Sequence, residues 1–202
     1  LKEDQYLLVV NASNIEKDWN HISKYNTFGA KMTNASDEMS LLAVQGPKAT
    51  EILQKLTETN LSEIPYYNFT VGTVASVSDV IISNTGYTGS GGFEIYFKNE
   101  KAELLWDEIL KAGENERIIP CGLAARDTLR LEKGFCLYGM DIDDTTSPIE
   151  AGLGWITKFD KEFVSKEIFA KQKEEGITRK LVGFELTDKG VPRHDYPVVD
   201  AE

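Results

Sequence analysis

The sequence predicts an α+β protein: antiparallel sheets with packed helices. Three observations carry that expectation. Residues 40–120 read as strand, helix, several strands and helix, a pattern that favours an antiparallel sheet with helices on one face. Two of those strands are separated only by a short polar turn, as in a hairpin. At 41% hydrophobic and 27% charged residues, the chain has the composition of an ordinary globular protein.

The elements follow in order. Residues 6–10 (YLLVV) form a continuous apolar run, which reads as a buried strand. Ser13 and Glu16 have the spacing of a capping box, in which each side chain satisfies the other residue's backbone N–H. A helix follows with Ile15, Trp19 and Ile22 on one face. Asn11 falls at the strand-to-helix junction, where a polar side chain either points into a cleft or serves as a plain turn residue. Residues 40–45 predict the next strand, stopped by Gly46-Pro47, and a proline suits a first helical turn. Ala49, Ile52, Leu53 and Leu56 then make the apolar face of a helix. Residues 66–74 and 80–83 are the hairpin strands, rich in β-branched and aromatic side chains. A glycine-rich turn leads to a strand over 92–97 and a helix over 102–110, with Gly113 as its stop. A surface helix is expected over 162–172, with Gly176 as a boundary. Residues 179–186 (RKLVGFEL) alternate, with Val182, Phe184 and Leu186 on one face, and predict the first strand of a further domain.

Composition excludes several classes of function. The net charge is −11 and no Lys/Arg cluster offsets it, which argues against general nucleic-acid binding. No run approaches the roughly 18 apolar residues of a membrane span, and no secretory signal is evident. Cys121 and Cys136 are not in a C-x-x-C pair, and His21 and His194 read as surface residues. No metal, redox or histidine-triad pattern is therefore expected, and the setting expected is reducing and cytoplasmic. The chain opens at Leu1 and ends in Val-Val-Asp-Ala-Glu, so it is expected to be a piece of a longer protein.

Two constellations carry chemistry. Arg126 and Arg130 lie one helical turn apart, where like charges repel by a few tenths of a kcal/mol. Something acidic is expected near them. A salt-bridge web with Asp127 and Glu132 is the simpler source, and an anionic ligand is the other. Gly134, Gly139, Gly152 and Gly154 then punctuate a loop-rich stretch bearing Tyr138, Asp141 and Glu150, the kind of long loop that tends to be functional. The second constellation is GYTGSGGFEI, residues 86–95. It lacks the Lys-Ser/Thr of a phosphate loop, and Glu94 breaks the dinucleotide spacing. On the strand after it, Phe93, Ile95 and Phe97 share one face, and Glu94 and Tyr96 share the other. A carboxylate so placed can accept two N–H bonds from an amino-heterocycle; in isolation it reads more simply as a surface Glu.

Taken together, GYTGSGGFEI, GLAARDTLRLEKGFCLYGMDI and TTSPIEAGLGW resemble the aminomethyltransferase family, the T protein of the glycine cleavage system. YLLVVNASNIEKDW and LLAVQGP add to the match, which runs in the family's order over nearly the whole chain. The family's GYTGEDGFE has an acidic pair where this chain has Ser90-Gly91. The resemblance implies a folate-binding fold. Residues 1–38 and 121–176 would belong to a first folate-binding domain, 39–120 to a ferredoxin-like second domain, and 177–202 to the start of a C-terminal β-barrel domain. It implies a tetrahydrofolate-dependent enzyme that uses no metal. Its substrate would be an aminomethyl group on the dihydrolipoyl arm of the H protein, its products ammonia and 5,10-methylenetetrahydrofolate. By the same resemblance, Glu94 meets the folate ring edge, Arg126 meets folate's carboxylate tail, and Asn11 and Tyr67 line the pocket. The family's catalytic aspartate lies in a G-G-x-x-D-D hairpin upstream of Leu1, so these residues alone are expected to lack transferase activity. Two other readings belong to relatives of this fold: a sarcosine- or dimethylglycine-oxidising enzyme, and a folate-binding module without transfer chemistry. The iron–sulfur assembly version is disfavoured, because KGFCLYG lacks the Gln-Glu of its motif.

Overall fold

The computed structural model describes residues 1–193 and 196–199, so His194 lies outside the described residues. The chain divides into two units, Leu1–Phe135 and Cys136–Glu202.

The first unit is α+β, as the sequence predicts. Its elements are α1 (Ile15–Tyr25), β1 (Met39–Gln45), α2 (Ala49–Gln54), β2 (Phe69–Val74), β3 (Val77–Ser83), β4 (Gly92–Lys98), α3 (Ala102–Ala112) and α4 (Leu123–Glu132). The strands form one antiparallel sheet in the order β1-β4-β3-β2. Alternation on β4 decides what each face does. Phe93, Ile95 and Phe97 are essentially buried, and they join Leu53 of α2 and Leu105 and Ile109 of α3 in one core. Both helices thus cover the same face, because their apolar residues recur at helical spacing against residues of period two. The other face carries Glu94, which lies opposite Ala43 of β1 and Ser83 of β3.

The hairpin turn is tighter than the sequence predicts. Val74 pairs with Val77, leaving Ala75 and Ser76 as the two turn residues, with φ of 47° and 68°. Positive φ at both central positions is the type I′ geometry that matches strand twist. Asn-Gly is its usual signature, so Ala-Ser gives no local signal. β2 also begins later than expected. The N–H of Asn68 donates to the Pro65 carbonyl at 3.0 Å, and Tyr67 has φ of 64°, so residues 66–68 turn instead of extending.

Three expectations need correction. Residues 6–10 form no strand: Tyr6 is 81% exposed and Leu8 63%, because no described segment pairs with the run. Their apolar pattern is real, but a strand exists only as part of a ladder. The capping box does not form. Helix α1 starts after Asn14, with no side-chain bond at the cap, because a 3₁₀ turn, Ala12–Asn14, occupies the backbone where Ser13 would cap. Residues 179–186 likewise carry no strand. Among the described residues their main-chain tie to another segment is the Leu181 N–H donating to the Glu150 carbonyl at 3.0 Å, so no ladder builds.

The second unit contains α5 (Lys166–Glu175), which starts later than the expected helix and ends at Gly176. Its polar frame centres on Glu150, which is 8% exposed. Arg179 Nε donates to Glu150 Oε1 at 2.8 Å, and the Ser147 N–H donates to Oε2 at 2.8 Å. The bond from Arg179, then that from Ser147, holds the Glu150 carboxyl below its ordinary 4.5. A depressed carboxyl contributes stability above its unfolded pKa, and that contribution is lost as pH falls through the lower folded value. The Leu181 amide is therefore expected to lose hydrogen-exchange protection, after correction for intrinsic rate, as pH drops below about 4.5. An Arg179→Met variant should show a weaker pH dependence, with the Ser147 bond remaining; an unchanged dependence would place its source elsewhere.

Candidate functional site

A hollow of about 260 Å³ opens in the first unit. Three segments build its wall: the end of β1 at Gln45, the loop from Thr85 to Gly92, and the stretch after α4 at Lys133 and Phe135, with Tyr66 completing it. Gln45 holds the loop in place. Its Nε2 donates to the carbonyls of Thr85 and Phe93, both at 3.2 Å, and its Oε1 accepts from the Thr88 hydroxyl at 3.1 Å. Glycine leaves room where this side chain passes. A Cβ on Gly86 would lie 1.8 Å from Gln45 Oε1, and one on Gly92 would lie 2.3 Å from the Val44 carbonyl oxygen. Gly92 also has φ of 129°, which side-chain-bearing residues rarely adopt. The glycine-rich turn is thus a close-packed frame around an inserted glutamine.

Glu94 does not line the hollow itself but is hydrogen-bonded to a residue that does. Its Oε2 accepts a short hydrogen bond from the hydroxyl of Thr85, a wall residue, and a longer one from Tyr96 at 3.4 Å. The Glu94 charge is felt by two phenols. Burial first, then Glu94, pushes the Tyr96 hydroxyl up to about 12. Burial, the neighbouring Tyr67 and then Glu94 raise that of Tyr66. Both phenols therefore stay neutral donors near pH 7.

Arg126 and Arg130 separate in role. Arg130 is 3% exposed; its Nε donates to Asp127 at 2.8 Å and its Nη1 to the Phe135 carbonyl at 3.1 Å. The expected acidic neighbour is therefore present for Arg130. Arg126 is exposed, forms no ion pair among the described residues, and lies 5.9 Å from the centre of the Tyr87 ring. Tyr87 in turn stacks on Phe135, ring centres 5.9 Å apart, and Phe135 lines the hollow. Glu94 thus reaches the hollow through Thr85, and Arg126 through two aromatic rings.

The other two candidates sit differently. Tyr67 packs on Tyr66, with ring centres 4.2 Å apart, but is 65% exposed and does not line the hollow itself. Asn11 precedes the 3₁₀ turn, is exposed, makes no side-chain cap and is not brought to the hollow. Sequence reasoning assigned no site role to Gln45, Thr85, Lys133 or Phe135. The local hint is the run of glycines, of which Gly86, Gly89 and Gly92 mark space taken by another segment. Among the described residues no cluster of His, Cys, Asp and Glu is placed to hold a metal ion, and no helix is long and apolar enough to cross a membrane.

Sheet, glycine-framed hollow and nearby carboxylate define an α+β domain with a cleft of about 260 Å³ at one end of its sheet. Residues 1–161 match the family model described as the GCVT N-terminal domain, and the chain belongs to that family. It is 64% identical over 201 residues to the aminomethyltransferase of Flavobacterium psychrophilum, covering 100% of this chain and 56% of that protein. The aminomethyltransferase of Phocaeicola vulgatus is 62% identical over 203 residues, again covering 100% of this chain and 56% of the relative. A crystal structure of glycine cleavage system aminomethyltransferase T from Bartonella henselae matches with a TM-score of 0.70 at 33% identity, over 82% of this chain and 45% of that one. The chain therefore spans about half the length of the curated relatives it matches.

Proposed function

We propose that the protein containing this chain is the aminomethyltransferase of a glycine cleavage system. It takes the aminomethyl group from the dihydrolipoyl arm of the H protein, releases ammonia, and passes the one-carbon unit to tetrahydrofolate as 5,10-methylenetetrahydrofolate. The observation that carries this reading is a strand-borne carboxylate, Glu94, tethered by Thr85 at the rim of a glycine-framed hollow. It occurs in a chain whose relatives bear that enzyme's name.

In this reading Glu94 accepts N–H bonds from the edge of the pterin ring, and Arg126 pairs with the anionic tail. Asn11 and Tyr67 line the outer part of the site. Residues 1–38 and 121–176 belong to the first folate-binding domain, 39–120 to the second, and 177–202 open a C-terminal β domain. The reaction runs in a cytoplasmic setting. Loss of ammonia from the sulfur-bound aminomethyl group leaves an electrophilic methylene; one folate nitrogen adds to it and gives up its proton, the carbon–sulfur bond then breaks to release the dihydrolipoyl thiol, which takes up a proton, and the second folate nitrogen closes onto the carbon to complete the methylene bridge. Holding that nitrogen at near-attack distance supplies most of the rate. The fixed carboxylate adds electrostatic orientation without moving a proton.

The test is an assay of the intact gene product with aminomethyl-loaded H protein and tetrahydrofolate. Ammonia and methylenetetrahydrofolate are expected in equal amounts, and the absence of either refutes the assignment. In the same protein, Glu94→Gln and Arg126→Ala are each expected to weaken tetrahydrofolate binding by roughly 1–3 kcal/mol, the scale of a charge-assisted hydrogen bond. Calorimetry reads this directly, and unchanged affinity in both variants removes them from the site.

A further inference from the structure

We infer that Thr85 is a positioning residue that fixes the rotation of the Glu94 carboxylate, so that Oε2 is held by the protein and Oε1 is left for the ligand. This rests on the folate reading above. The last torsion of a glutamate is broad and roughly two-fold, so an untethered carboxylate presents no defined oxygen. Here two hydroxyls, from Thr85 and Tyr96, converge on the same oxygen, Oε2. Among the described residues no donor reaches Oε1.

The tether is itself anchored. The Thr85 carbonyl accepts from Gln45 Nε2 at 3.2 Å, and the Thr85 and Ser83 hydroxyl oxygens lie 3.0 Å apart. Thr85 has one hydroxyl proton. When it goes to Glu94, the Ser83 hydroxyl must donate to Thr85. The order Ser83 to Thr85 to Glu94 is thereby set, with Ser83 directly across the sheet from Glu94. A ligand with an N–H edge meets an acceptor already turned toward it, and the ordering cost falls on folding instead of on binding.

The experiment is calorimetric titration of tetrahydrofolate into the intact gene product and five variants: Thr85→Val, Thr85→Ala, Thr85→Ser, Glu94→Gln and the Thr85→Val/Glu94→Gln double variant. Thr85→Val is expected to weaken binding roughly tenfold, the scale of one net hydrogen bond to a charged group. Thr85→Ser keeps the hydroxyl and should stay near the parent. The double variant should bind no more weakly than Glu94→Gln, because a residue acting through Glu94 has nothing left to act on. Thr85→Ala carries the same expectation as Thr85→Val should valine perturb the loop. If Thr85→Val and Thr85→Ala bind like the parent while Glu94→Gln is weakened, the inference falls and the folate reading stands. It falls equally if Thr85→Ser is as weak as Thr85→Val, or if the two losses add. If Glu94→Gln binds like the parent, Glu94 is not a folate ligand, and that part of the folate reading fails and takes the inference with it.

Discussion

Phe93→Ala is expected to destabilise the sheet-bearing unit by about 3–5 kcal/mol, the range for emptying a buried aromatic site. Phe93 is 2% exposed and sits on β4, a central strand of the sheet. Its neighbours Leu53, Leu105 and Ile109 come from two helices, whose backbones cannot close over the void together. The loss should not stay in the core. Gln45 Nε2 donates to the Phe93 carbonyl, and Glu94 is the next residue, so the strand that anchors the core also carries the site. Urea unfolding followed through β3 and β4 amides by hydrogen exchange measures the effect. Val71→Ala is the control: Val71 is 51% exposed, and its replacement should cost well under 1 kcal/mol. Equal losses in the two variants would show that the core does not lie where the structure puts it.

Arg130→Met should cost the same unit roughly 1.5–3 kcal/mol, the scale of a hydrogen bond from a charged group. Arg130 is almost wholly buried, whereas the side chain of its partner Asp127 is 54% exposed. The charge of the loss lies in the Phe135 carbonyl, which loses this donor, and in the stem packing that methionine only partly restores. Phe135 lines the hollow and supports the Tyr87–Arg126 stack, so ligand affinity should fall together with stability. Asp127→Asn is expected to be milder, because it removes an exposed partner and leaves the Phe135 bond intact. A milder Arg130→Met than Asp127→Asn would mean that the ion pair, not the carbonyl, is what α4 depends on.

The sequence made the sheet unit legible wherever a periodic pattern and its partner lie close together. The alternation over residues 93–97 located both the buried face and the placement of Glu94. The helical spacing of Ala49, Ile52 and Leu53 located the face of α2. Residues 6–10 misled because apolar character is local, whereas a strand depends on a neighbour that no local pattern reveals. The hairpin misled for a different reason: Ala75 and Ser76 adopt left-handed conformations without the residues that usually mark them. The hollow was hardest to see. Gln45, Thr85 and Phe135 come from three distant segments, and none has unusual chemistry alone. Their signature was negative: glycines at 86 and 92, where any side chain would collide with Gln45 or with the β1 backbone. Arg126 and Glu94 are site candidates through the family resemblance alone, and the structure shows what stands beside each: Thr85 at Glu94, and Tyr87 with Phe135 at Arg126.

The most direct test of the central claim is a crystal structure of the intact gene product with tetrahydrofolate. The account predicts the ring edge at hydrogen-bonding distance from Glu94 Oε1, about 2.7–3.2 Å, with Thr85 still on Oε2 and the ring over Phe135. A ligand bound elsewhere, with Glu94 touching none of its nitrogens, would contradict it.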